Sequence, residues 1–238
     1  MTAPEHAPRV SLIGVSAGYA RTAVLTQLDV DIPPLTVTAV MGPNGSGKST
    51  LLGLLAGVIP ATSGTLVHRT SVRPAFVMQR SAVADALPLT VRETVAMGRW
   101  GRLGPFRRPS SEDRRAVESS MERLDVADLA ERQLSELSGG QRQRVLVAQG
   151  LAQGADLLLL DEPASALDSS ARETITQVLD EVAAEGGTVV QATHDITAAR
   201  RAEHCLLLDG GRIVAAGPPL EVLEGTERER LAQPFARR

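Results

Sequence analysis

The 238-residue chain is 43% hydrophobic and 22% charged with a formal net charge of -3, an ordinary globular composition with enough apolar material for one or two cores. Its single cysteine, Cys205, excludes an intramolecular disulfide and a cysteine-cluster metal site, and the charge gives no general reason to expect nucleic acid. No apolar run approaches the roughly 18 residues that span a bilayer, and Pro4, Glu5, His6 and Pro8 break up the start where a signal peptide would be apolar. The expectation is a soluble, cytoplasmic protein.

In chain order, residues 36–41 are a short β-prone run, followed by a glycine-rich loop and a helix over 49–56 that carries Leu51, Leu52, Leu54 and Leu55 and stops at Gly57. From about 82 to 152 the pattern is helical, with Ser110 and Asp113 as a capping box and Val117, Met121 and Leu124 on one face of the helix that follows. Arginines 99, 102, 107, 108, 114 and 115 surround Trp100 and Phe106, which reads as a solvated or partner-facing surface. Four leucines at 157–160 suit a strand buried on both faces. Ile175, Val178, Leu179 and Val182 define a helix over 174–185, ended by Gly186 and Gly187. Strands follow at 188–193 and 205–208, the latter before the turn residues Asp209, Gly210 and Gly211. This alternation predicts a largely parallel α/β sheet.

Three constellations carry chemistry. Gly42-Pro43-Asn44-Gly45-Ser46-Gly47-Lys48-Ser49-Thr50 fits G-x-x-x-x-G-K-[ST] between an expected strand and an expected helix. Glycines at this spacing let successive backbone N–H groups converge on phosphate oxygens, and the helix start adds a positive field. Lys48 would reach the β- and γ-phosphates, and the Ser49 hydroxyl would ligate Mg2+. The chain has 24 arginines but one lysine, and that lysine stands here, where an ammonium and a guanidinium are not interchangeable. Asp161 and Glu162 end the leucine run. Asp161 suits a Mg2+ ligand, direct or through water, and Glu162 suits orientation and polarisation of an attacking water. Leu137-Ser138-Gly139-Gly140-Gln141 opens a helix with Val145, Ala148, Leu151 and Ala152 on one face, a capped start that is also a potential anion cradle.

Taken in order, these motifs resemble the ATP-binding subunits of ABC transporters. The family's phosphate loop, glutamine loop, LSGGQ signature, Asp-Glu strand, D-loop and switch histidine read here as 42–50, Gln79, 137–141, 157–163, Ser165-Ala166-Leu167-Asp168 and His194, and the resemblance covers residues 10–223. It implies an α/β P-loop NTPase core with a mostly parallel sheet, an N-terminal antiparallel β part and an inserted α-helical subdomain. The single domain would span 10–225, with its core at about 10–80 and 153–225, the helical subdomain at about 81–152, and 226–238 as a tail. The resemblance further implies that Tyr19 stacks on adenine, that Gln79 reaches Mg2+ and the attacking water, and that His194 contacts the γ-phosphate. Ser138, Gly139 and Gly140, with Gln141 and Asp168 among the nucleotide-binding residues, would complete the site of an opposite subunit. The working unit would be a homodimer with ATP sandwiched between subunits.

A finer resemblance lies in Gln79-Arg80, Leu87-Pro88-Leu89-Thr90-Val91-Arg92-Glu93 and Met97-Gly98-Arg99-Trp100-Gly101. It is to the subgroup serving zinc and manganese importers; siderophore and haem importers have a similar stretch. The chain departs from the subgroup at Val83-Ala84-Asp85-Ala86-Leu87, where an aromatic-rich passage is usual. The implied partners are integral-membrane permease subunits and, indirectly, an extracytoplasmic metal-binding protein, with the chain peripheral on the inner face of the membrane. His6, His68, His194 and His204 have no ligand spacing for the transported metal. The main rival, a DNA-repair or chromosome-organising ATPase, would need a long coiled coil; only about 110 residues separate Lys48 from Asp161, without sustained heptads.

Overall fold

Strand β1 (Val10–Tyr19) buries Val10, Leu12, Val15 and Ala17. The three-residue step from Leu12 to Val15 breaks the period of two because Gly14, at φ 57°, sits at an irregularity that shifts the pairing. β1 pairs antiparallel with β2 (Thr22–Ile32) and with β4 (Ala61–His68), giving the strand order β2-β1-β4. This is the expected N-terminal antiparallel part.

The computed structural model describes residues 7–20, 22–69, 72–78, 88–103, 108–164 and 167–224. The chain divides into two compact units, one from 1–69 with 192–238 and the other from 70–191. In the first, β3 (Val37–Met41) is buried at every position and pairs parallel with β8 (His204–Asp209), which pairs antiparallel with β9 (Arg212–Gly217). Helix α1 (Lys48–Leu55) follows β3 through the glycine-rich loop. Leu51, Leu52, Leu54 and Leu55 of α1 are all buried, as are Leu25, Leu28 and Ile32 of β2, each such side chain contributing about 1.5–3 kcal/mol when removed from water. The short helix α7 (Ile196–Arg201) lies in the same unit, and residues 219–224 are also helical.

In the second unit, β5 (Ala75–Val77), β6 (Leu157–Asp161) and β7 (Thr188–Ala192) lie in that order, β5 and β6 parallel. Among the described residues, the α-helices are α2 (Val91–Ala96), α3 (Trp100–Leu103), α4 (Ser111–Arg123), α5 (Gly139–Ala152) and α6 (Ser169–Ala184). Between 88 and 152 the described residues form helices and turns, as the sequence predicts, with one isolated bridge from Thr90 to Gln133. Helix α6 begins five residues before its expected start at 174. Asp168 Oδ1 accepts from Ala171 N at 2.9 Å and caps it, so the first turn is set by a polar cap and not by apolar spacing. Among the described residues, no helix is long and apolar enough to cross a membrane.

Candidate nucleotide-binding site

The glycine-rich loop joins β3 to α1. Gly42 has φ 149°, and a Cβ there would run into the Leu208 carbonyl oxygen of β8, so the backbone passes where only glycine fits. Gly47 is the N-cap of α1 at φ 107° and offers no side-chain hydrogen bond to the helix start. The first-turn N–H groups therefore receive no side-chain cap, which leaves them suited to an external acceptor. Lys48 is only 6% exposed, and its Nζ donates to the Gly42 and Pro43 carbonyl oxygens at 2.9 and 3.1 Å. No carboxylate pairs with it among the described residues. The Ser46 hydroxyl is buried and has no partner there either. A buried ammonium met by carbonyl dipoles alone, beside an orphan hydroxyl, is a cradle suited to an anion. Ser49 lies exposed at the mouth and Thr50 is buried.

Two further expected residues lie in the same unit. Tyr19 ends β1 with 56% of its surface exposed, an aromatic face available for stacking. His194 is exposed in a turn fixed on both sides: Thr193 N donates to Val40 O at 3.0 Å, and Asp195 caps α7 by accepting from Thr197 N at 2.8 Å.

In the other unit, β6 delivers Asp161, buried, at its carboxyl end. The next residue, Glu162, has φ 50°. A left-handed non-glycine residue costs about 1–3 kcal/mol and persists where the surroundings enforce it. That strain aims the Glu162 side chain differently from a continuing strand, a feature with no signal in the sequence. Gly139 opens α5, and Ser138 caps it: Ser138 Oγ accepts from Gln141 N at 3.2 Å, and Gln141 Oε1 accepts from Ser138 N at 3.0 Å. Gly140 lies so near α6 that a Cβ would stand 3.4 Å from Asp168 Oδ2, so the structure brings the signature turn and the end of the D-loop together. The Asp168 carboxyl is held below its usual range by the Ala171 amide and the Ser170 hydroxyl. Gln79, Ser165 and Ala166 lie outside the described residues.

One expectation is corrected. Arg99 belongs to no solvated surface: it is 4% exposed, because its guanidinium ion-pairs with Asp113 at 2.8 Å. Alternation of charged residues near Trp100 hid a buried pair whose two members are distant in sequence.

Residues 25–165, more than half of the chain, match the ABC transporter family, and the chain belongs to it. The zinc transport system ATP-binding protein TroB of Treponema pallidum is 37% identical over 215 residues, 87% of this chain and 80% of that protein. The hemin import ATP-binding protein HmuV of Streptomyces coelicolor is 44% identical over 209 residues, 84% and 74% of the two chains. The dimeric structure of a bacterial ABC transporter cassette is similar with a TM-score of 0.78 at 27% identity, covering 88% of this chain and 98% of that one. The fold is that of an ABC ATPase, and the activity of the class is ATP hydrolysis.

Proposed function

We propose that this chain is the ATP-hydrolysing subunit of an importer for a divalent transition metal, zinc or manganese, acting through a separate permease. The observation that carries the ATPase reading is the buried Lys48, which meets no carboxylate among the described residues, beside a Ser46 hydroxyl that has no partner among them. The substrate reading rests on relatives such as the zinc transport protein.

Lys48 and the N–H groups of 42–50 would bind the β- and γ-phosphates, and Tyr19 would stack on the adenine. Ser49, Asp161 and Gln79 would supply the hard oxygen donors that Mg2+ takes, and the ion would neutralise phosphate charge. Glu162 would orient the attacking water and accept its proton, while His194 would hold the γ-phosphate. Ser138, Gly139, Gly140 and Gln141, with Asp168, would complete the site of a second copy, so that ATP drives a homodimer. The helical segment about 81–152 would be the inserted subdomain receiving the permease, and the chain would be cytoplasmic, peripheral on the inner membrane face. An extracytoplasmic metal-binding protein would deliver the cargo.

Deleting the gene should lower cellular zinc or manganese and slow growth under chelation, with rescue by that metal. Haem import is the second reading, favoured by the hemin relative. Unchanged accumulation of both metals with collapse of haem or siderophore uptake would reassign the cargo.

A further inference from the structure

The Arg99–Asp113 pair joins three elements of one unit. Arg99 ends the 3-10 turn Met97–Arg99 that leads from α2 to α3. Its Nε donates to Asp113 Oδ1 at 2.8 Å, and its Nη1 donates to the carbonyl oxygen of Ala152 at 2.9 Å. Asp113 is 7% exposed. Its other oxygen is occupied by the start of α4, accepting from Ser110 N at 2.9 Å and Ser110 Oγ at 2.6 Å. Ala152 is the last residue of α5, so the guanidinium satisfies a terminal carbonyl and meets the negative end of that helix. The neighbouring residue, Gly98, lies against the same turn: a Cβ there would run into the Gln149 carbonyl oxygen.

We infer that Arg99 is a positioning residue for the ATPase, locking the C-terminal end of α5 to α2 and α4 so that the signature turn at its other end moves with them as one body. The inference rests on the proposed role of Ser138, Gly139 and Gly140 toward a second copy. Helix α5 has 14 residues, a stiff lever of about 20 Å at 1.5 Å per residue, so a small error at Ala152 is delivered to Ser138. A buried ion pair is a poor source of stability compared with apolar residues of equal volume. What the pair supplies is direction: a planar fork with fixed donors to two elements at once, which one ammonium cannot reproduce.

The test replaces the pair with apolar side chains, Arg99→Met with Asp113→Leu, which fills the volume and discards the fork. It is made in the Glu162→Gln background and read three ways: melting temperature, ATP affinity of the monomer by fluorescent nucleotide titration, and the concentration for half-dimerisation with ATP by light scattering. The expected result is a melting temperature within a few degrees of the parent, ATP affinity within twofold, and dimerisation weakened tenfold or more. Arg99→Lys should weaken it similarly. Dimerisation within twofold of the parent in the double variant overturns the inference. A Glu162→Gln parent that binds ATP yet stays monomeric overturns the proposed ATP-driven homodimer instead. Hydrogen exchange of nucleotide-free protein then still decides: amides 150–154, at the junction that the guanidinium holds, should exchange at least tenfold faster in the double variant, and unchanged protection overturns the positioning role.

Discussion

The phosphate loop and the signature turn both begin a helix, yet they use their polar groups in opposite ways. Helix α1 starts at a glycine with no side-chain cap, beside a buried cation and an orphan hydroxyl. Helix α5 starts at Ser138 with a complete capping box, its serine and glutamine already satisfying each other's backbone. The first start is an unsatisfied cradle that needs an anion; the second is satisfied alone and exposed. Donors left open bind tightly without help, whereas a capped turn gains only what a partner surface adds. On the proposed reading, that difference is how one chain would hold half a site strongly and lend another half conditionally.

The largest effect should fall on the cradle. Lys48→Ala should lower ATP turnover by about 10²–10³-fold or abolish binding, since a charge aimed at the phosphates is removed. Lys48→Arg should fail as well. Steady-state hydrolysis and nucleotide titration check both, and wild-type turnover in the arginine variant would contradict the reading of this lysine.

Glycines at the two starts sharpen the contrast. Gly42→Ala meets the Leu208 carbonyl at a φ that side chains avoid, and it should destabilise by roughly 3 kcal/mol or more and lose ATP with it. Gly140→Ala meets Ala171 Cβ at 3.2 Å and Asp168 Oδ2 at 3.4 Å; within a helix it should shift stability by less than about 1 kcal/mol and leave monomer ATP binding intact. Denaturant titration separates the two, and equal losses would erase the distinction.

Acid tests the scaffold behind the signature turn. The Asp113 carboxyl is held below its usual range by the Ser110 hydroxyl and amide and then by Arg99. A depressed folded-state pKa contributes stability that is full above the unfolded carboxylate value and is lost as pH falls below it. The melting-temperature advantage of wild type over Asp113→Asn should thus be constant from pH 7 to 5 and shrink below about pH 4. A constant gap down to pH 3 would remove the carboxylate from the account.

The smallest effect belongs to the exposed pairs. Arg123 reaches Glu181 at 3.2 Å and Glu185 at 3.0 Å across partly exposed side chains. Glu185→Gln should cost no more than about 1 kcal/mol, measured by urea unfolding, and a larger loss would make that contact part of the core.

The phosphate loop was legible in the sequence because its chemistry is local: nine consecutive residues contain the glycines, the cation and the hydroxyls. The leucine strand and the Ser110 cap were legible for the same reason. Three features were not. The irregularity at Gly14 shifts the burial parity of β1, so no periodicity survives across it. The left-handed Glu162 is a backbone state enforced by surroundings. Arg99 and Asp113 meet only after α4 packs beside the turn before α3, and a pair made by packing leaves no spacing to read.

The most direct measurement is the mass of Glu162→Gln in ATP by light scattering, alone and with Ser138→Arg. Replacing the carboxylate should slow hydrolysis by about 10²–10⁴-fold while the cradle still holds the nucleotide. The account predicts that wild type is mostly monomeric, that the single variant accumulates as a dimer with ATP, and that the double variant returns to monomer because the arginine occupies the partner's phosphate position. A Glu162→Gln protein that binds ATP tightly yet remains monomeric, or a double variant that still dimerises, would contradict it.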